Sequence, residues 1–290
     1  MPDPLVVMTA GSTPTARRRE LAKLFRDLRR QRGLPLEQVA AAIDSSVSKV
    51  SRLETGLRSI SVEDARRLAE FYSLSGAELS RVVHIAEEAR GRSWWDSRGQ
   101  PPAMRAYIGL EQVATMIAAF TCNIVPGLFQ TEAYATALVS GTWIDTEPAS
   151  NADAVSNRMR RQQLLERADS PWIHAVLDES ALHRVVGSPS IMHEQLLALL
   201  ETGRHPRISL RVIPFTAGAH PGLDNQFFML HVGDEQKLEL VHVDGIGGSV
   251  NFDKPSELGR YVRAWNELTS IALPPLDSAA LIARAADKMA

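Results

Sequence analysis

The chain of 290 residues contains one cysteine, Cys122. A lone thiol cannot close an intrachain disulfide or build a thiolate metal cluster, and it suits a reducing compartment. Long apolar runs are also missing, since none reaches the roughly 18 to 20 residues that a membrane helix needs. Met1 to Thr13 holds an acid but no basic stretch ahead of an apolar run, so no secretory signal is expected there. Aromatic residues are scarce at 6%, yet apolar residues reach 44%, enough for a folded core and against a fibrous or disordered chain. These absences predict a soluble cytoplasmic protein.

Catalytic and metal signatures are thin. His193-Glu194 opens like a zinc-protease helix, but the fifth position is Leu197 rather than a second histidine. The other histidines, among them His174, His183, His205, His220, His231 and His242, form no tight cluster, so neither a metal nor a cofactor is expected. Gly245-Ile246-Gly247-Gly248 follows a strand without the Lys-Ser/Thr of a phosphate loop and reads as a hairpin turn. Asp178 and Glu179 beyond a strand end, with Asp224 and Asp244 elsewhere, are the remaining carboxylates for acid-base work, and no enzyme is expected.

What is present is an uneven distribution of charge. The net charge is -2, but residues 17–72 carry 13 Lys/Arg against 8 Asp/Glu, leaving 19 against 26 for the rest. A basic module on an acidic body points to a polyanion partner at one end of the chain.

That basic module reads as short helices. Residues 1–14, with three prolines, read as a flexible arm. Leu21, Leu24, Phe25 and Leu28 then form an apolar stripe at helical spacing, and Gly33 stops it. A second helix over Leu36 to Ile43 buries Val39, Ala40 and Ile43. After Asp44-Ser45, Ser46 caps a third helix with Val50 and Leu53 inward. Ser61 and Asp64 start a fourth, packed through Ala65, Leu68, Ala69 and Tyr72. An eight-residue helix, a tight link and a Ser-rich helix make the helix-turn-helix pattern, whose second helix fits a major groove.

Gly33 to Ala40 followed by Ser46-Val47-Ser48-Lys49-Val50-Ser51-Arg52-Leu53-Glu54-Thr55-Gly56 resembles the Cro/C1-type (XRE) DNA-binding domain. The resemblance implies base-edge contacts from Val47, Ser48 and Arg52, phosphate contacts from Lys49 and Arg58, and a structural ion pair between Arg29 and Glu54. Pro35 and Leu36 depart from the polar pair that often opens the second helix. Val47 replaces a common polar reader and could meet a thymine methyl.

Beyond residue 76 the pattern is longer and mixed. Helices are expected over Glu78 to Arg90, Met104 to Phe120, Glu132 to Leu138 and Val155 to Ala168, the last with a solvated face of Arg158, Arg160, Arg161 and Arg167. The adjacent Trp94-Trp95 suggests one core ring and one interdomain or ligand contact. Strands are expected over Trp172 to Leu177, Ile208 to Ile213, Gln226 to His231, Leu238 to Val243 and Ser249 to Phe252, with helices at Ile191 to Glu201 and Glu257 to Leu268. The fold class is therefore an N-terminal all-α helix-turn-helix domain (lambda-repressor-like) followed by a larger α+β domain with a helical first half and a small mixed sheet. The loop from Thr216 to Gln226, with Gly218, His220, Gly222, Asp224 and Asn225, could meet a ligand or partner or merely connect.

Trp94-Trp95, Tyr107 to Glu111, Val125 to Ala135, Arg158 to Leu165, Val176 to Leu182, Val212 to Phe215 and Ala217 to His220 together resemble the C-terminal domain of a large actinobacterial group of XRE-type regulators, called DUF5753 or antitoxin-like. The resemblance covers roughly residues 17–270. It implies a regulator paired with a small DUF397-type partner protein.

The domain reading is a flexible arm at 1–14, the Cro/C1-type domain at 15–75, a helical connector at 76–100, the DUF5753-like regulatory and dimerisation domain at 101–270, and a loosely attached tail at 271–290. The expected function is sequence-specific binding of double-stranded DNA at a palindromic operator by a homodimer associated with the nucleoid. The alternatives are a small-molecule-responsive regulator with a pocket near Trp94, Trp95, His220 and Asp224, and an enzyme or interaction module that uses the helix-turn-helix only for location.

Overall fold

The computed structural model describes residues 14–56, 58–90, 101–142, 148–233, 236–245 and 248–290. Most of the expected arm, Trp94 and Trp95 lie outside them. The chain divides into two compact units, residues 1–100 and 101–290.

The first unit is helical. Helix α1 (Pro14–Gln31) turns Leu21 and Phe25 into the core and ends where Gly33 adopts φ +61, a conformation glycine takes without strain. Helices α2 (Leu36–Ala42) and α3 (Val47–Glu54) are joined through Ile43, Asp44 and Ser45. The link is tight because Asp44 enters the left-handed region at φ +50, and Ser45 N–H donates back to Ala40 O at 2.9 Å. Helix α4 (Val62–Phe71) starts at Ser61, whose hydroxyl accepts from Asp64 N–H at 2.9 Å. Helix α5 (Gly76–Glu88) starts at Ser75, whose N–H and hydroxyl both donate to the Glu78 carboxylate. Helix α5 belongs to the helical core rather than to a connector, because its Val82, Ile85 and Ala86 are buried in one core with Phe25, Val50 and Leu68.

The second unit is a mixed sheet with helices. Helix α6 (Pro102–Glu111) leads into strand β1 (Met116–Thr121), so the single helix expected over Met104 to Phe120 is replaced by a helix and a strand. The apolar run from Ile117 to Phe120 is buried throughout, and such a run satisfies helix and buried-strand patterns alike. A short 3-10 turn (Gly127–Phe129) precedes α7 (Glu132–Thr142) and α8 (Pro148–Gln162). Strand β2 (Trp172–Asp178), the one-turn α9 (Ser180–His183), α10 (Pro189–Thr202) and strand β3 (Ile208–Ile213) follow. Strands β4 (Phe227–Val232), β5 (Lys237–Gly245) and β6 (Gly248–Phe252) come next, then α11 (Pro255–Ile271) and α12 (Pro275–Asp287).

The sheet order is β3-β2-β1-β4-β5-β6. Strands β1, β2 and β3 run parallel, while β1-β4, β4-β5 and β5-β6 are antiparallel pairs. One sheet face carries Ala118, Phe120, Val176, Phe227, Met229 and Val241, which cluster with Leu258 and Leu268 of α11. The opposite face carries Ile117, Ala119, Ile173 and Phe228 beneath Tyr107 of α6, the 3-10 turn and Arg161 of α8.

Residues 271–290 are not a loose tail. Helix α12 buries Ser278, Ile282, Ala285 and Ala286 and packs against α10 and β3. Its first turn and the residue Leu273 ahead of it also close the outer edge of β3, since Val212 N–H donates to the Ser278 hydroxyl at 2.9 Å and Leu273 N–H donates to Val212 O at 2.8 Å.

Candidate nucleic-acid interface

Helix α3 is short, and Ser46 determines where it starts. Ser46 keeps an extended backbone (φ -83, ψ 150), and its hydroxyl accepts from Lys49 N–H at 3.2 Å. This satisfies one donor that the first helical turn leaves without a partner. Val50 and Leu53 then point into the core, which leaves Val47, Ser48 and Arg52 on the exposed face. Val47 is 38% exposed, a solvated apolar side chain at the first turn. Arg52 lies along the helix, its Nε donating to Ser48 O at 3.2 Å. A thymine methyl, a hydroxyl partner and a guanine edge are the groups such a trio can meet.

Lys49 and Arg58 are placed differently. Lys49 Nζ sits 2.9 Å from Asp64 Oδ2 and joins α3 to α4, so its charge has an internal carboxylate partner. Arg58 is exposed, and its N–H donates to Arg52 O at 3.1 Å beyond Gly56, which has φ +75. Arg29 and Glu54 are brought together behind the exposed face. Arg29 Nε lies 2.8 and 2.9 Å from the two Glu54 oxygens, and its Nη1 donates to Leu34 O at 3.1 Å. Bonding to Glu54 raises the Arg29 pKa, so the guanidinium stays charged despite partial burial. The pair links the end of α1, the entry to α2 and the end of α3, so it fixes the angle at which α3 is presented. Leu36, the departure noted at the start of α2, packs against the helical core. Pro35 stands at the cap position just ahead of the helix.

The loop residues singled out in the second unit are placed in different settings. Gly218 has φ +69, and Asp224 and Asn225 are exposed. His220 is buried, its Nε2 3.1 Å from Asp178 Oδ2 while its Nδ1 accepts from Gly222 N–H at 3.3 Å. Asp178 Oδ1 in turn accepts from Ser180 N–H at 2.8 Å. With both ring nitrogens engaged, His220 is not placed as a base for Cys122. That thiol donates to Gly222 O at 2.6 Å, and burial pushes its pKa up to about 11. The cluster anchors the loop to the sheet.

Sequence reasoning missed a second buried polar group. Arg161 of α8 was expected on a solvated face, but its guanidinium lies 2.6 and 2.8 Å from the oxygens of Glu111, which has no solvent exposure. Burial opposes the Arg161 charge, yet Glu111 outweighs it and raises the pKa. Arg158 is also turned inward, bonding Gln130 Oε1 at 2.5 Å, and burial followed by the nearby Arg161 lowers its pKa to about 10. Arg167 Nη1 donates to Gln112 O at 3.0 Å. The signal in the sequence was Glu111, a carboxylate at an apolar position of the stripe Tyr107-Ile108-Leu110. The cavity beside Arg161 and Tyr107 has a volume of about 10 Å³, about enough for one water.

Among the described residues no histidine, cysteine and carboxylate group of three or more is arranged to hold a metal ion, and no helix is long and apolar enough to cross a membrane. Two family models match the chain: a helix-turn-helix domain over residues 20–82, and a domain of unknown function, DUF5753, over residues 104–284. No curated protein and no solved structure is significantly similar to it.

Proposed function

Because the chain belongs to the DUF5753 family and carries a helix-turn-helix domain ahead of that region, we propose that it is a sequence-specific, XRE-type transcriptional regulator of the kind found in actinobacteria. The observation that carries this reading is α3, with its capped start, its exposed Val47, Ser48 and Arg52, and the buried Arg29–Glu54 pair behind it. A helix held at both ends, with short polar, apolar and guanidinium groups outward, has the chemistry of base-edge readout. Val47, Ser48 and Arg52 read bases, and exposed Arg58 contacts phosphate. Lys49 reaches phosphate by exchanging Asp64 for it. The DUF5753 region supplies the second functions, pairing two copies over a palindromic operator and binding a small partner protein of the DUF397 type. The protein works in the cytoplasm, on the nucleoid.

The test is capture of genomic DNA fragments by the purified full chain, followed by sequencing. The reading expects a palindromic motif whose half-sites lie about one helical turn apart. Capture of fragments without a shared motif would overturn it.

A further inference from the structure

The two edges of the sheet are treated differently by the chain. At β3 the outer main chain is closed by Leu273 and Ser278, and Arg211 Nε donates to Leu273 O at 2.9 Å to hold the closing segment in place. At β6, among the described residues, no group from outside the sheet bonds the main chain. Asn251 reaches Ala103 O only through its side-chain amide, at 2.8 Å. Alternate residues of β6 therefore turn outward N–H and C=O groups that no described residue pairs, as any edge strand does.

Edge strands usually carry a device against pairing, such as a lysine, a proline or an inward charge. Strand β6 reads Gly248-Ser249-Val250-Asn251-Phe252 and has none of them. Its centre, Val250, is a β-branched side chain that is 52% exposed. Asp253, Lys254 and Pro255 follow only after the strand has ended.

We propose that β6 is the dimer interface of the second unit, pairing antiparallel with β6 of a second copy about a two-fold axis through Val250. This deepens the reading of the protein as a dimeric regulator and rests on it. The segment is self-complementary in that register: Gly248 lies opposite Phe252, Ser249 opposite Asn251, and Val250 opposite its own copy. No charge meets a like charge. An aromatic side chain covers the glycine, a pairing that offsets the weakness of glycine in an edge strand. The Ser249 hydroxyl already donates to Asp244 Oδ1 at 2.6 Å, and the Asn251 amide bonds His242 and Ala103 O within its own chain, so across the strands each hydroxyl is left to accept the second N–H of the facing amide. Such an interface is isologous, with the same patch on both copies, and the two six-stranded sheets continue as one.

The experiment is light-scattering mass measurement of the full chain over a concentration series, for the wild type, Val250→Lys, Val250→Glu and an equimolar mixture of the two variants. The Val250 side chain is half in solvent, so thermal unfolding of each variant is expected to match that of the wild type and shows that it is folded. The proposal expects a mass twice 31.9 kDa for the wild type, 31.9 kDa for each variant alone, and recovery of the doubled mass on mixing. Recovery follows because Lys then faces Glu across the axis. Variants that keep the doubled mass would overturn β6 as the interface and leave the dimeric reading intact. A mixture that stays monomeric would overturn the register. A wild type that stays at 31.9 kDa, alone and on captured DNA, would overturn both the interface and the dimer.

Discussion

Glu111 has no contact with solvent, and both of its oxygens are bonded by Arg161. Removing only the carboxylate would leave a guanidinium in the interior without a counterion, while Arg158 adds a second positive charge nearby. Breaking a buried pair this way costs about 3–5 kcal/mol. Glu111→Ala is therefore expected to lower the unfolding free energy by that order in a denaturant titration, and Glu111→Ala with Arg161→Met to recover part of the loss. Gly222 is a second site where one atom decides. A Cβ there would fall 2.2 Å from Phe120 Cε1, a ring with no exposure, so Gly222→Ala forces Phe120 or the loop to shift. Overpacking of this kind costs about 1–3 kcal/mol, measurable in the same titration. Apart from the carboxylate of Glu111 at an apolar helix position, neither effect was legible beforehand. An arginine face and a glycine loop look solvated when polarity is all that is read, because the groups that enclose them lie 50 residues away for Arg161 and about 100 for Gly222.

At the scale of elements, legibility followed local chemistry. The limits of α3 and the start of α4 were readable because Ser46, Gly56 and Ser61 act through bonds within a few residues of themselves. The boundary between α6 and β1 was not, because Gln112 to Thr115 contains neither glycine nor proline and the turn is completed by Thr115 N–H donating to His231 O. The same holds for α12, whose alanines look uncommitted until Ser278 is seen to close β3. The cap of α3 gives a test at this scale. Ser46→Ala should cost about 1 kcal/mol of stability, the usual value for losing an N-cap hydroxyl. It should also weaken DNA binding, since Val47 and Ser48 occupy the turn that frays. Ser46→Asp, which can accept the same bond, should retain stability.

For the whole molecule, the two units show different balances of charge and therefore different responses to solution conditions. In the second unit burial lowers the pKa of His231, opposed by the Gln236 carbonyl and reinforced by nearby His174. A histidine held below its ordinary value contributes stability that is complete above about pH 6.5, where both states are neutral. As pH falls past that value the unfolded chain takes up the proton first, and the contribution is lost as pH moves down to the folded value. Thermal unfolding of the full chain should therefore shift to lower temperature between about pH 7.5 and about pH 5.5, with a smaller shift for His231→Gln. The helical first unit and the mixed sheet were both legible from period and charge. The sealing of one sheet edge, and the lack of any such seal at the other among the described residues, were not, because they depend on where the chain returns after β6.

Sequence reading by the exposed face of α3 is decided by equilibrium binding of the wild type and Arg52→Ala to two duplexes, one bearing the captured motif and one of the same composition in shuffled order. One base-edge contact contributes about 1–3 kcal/mol of discrimination. Arg52→Ala is therefore expected to lose roughly 5- to 150-fold on the motif duplex and far less on the shuffled one, with unfolding unchanged. An equal loss on both duplexes would make Arg52 a phosphate contact only, and no loss on either would contradict recognition through α3.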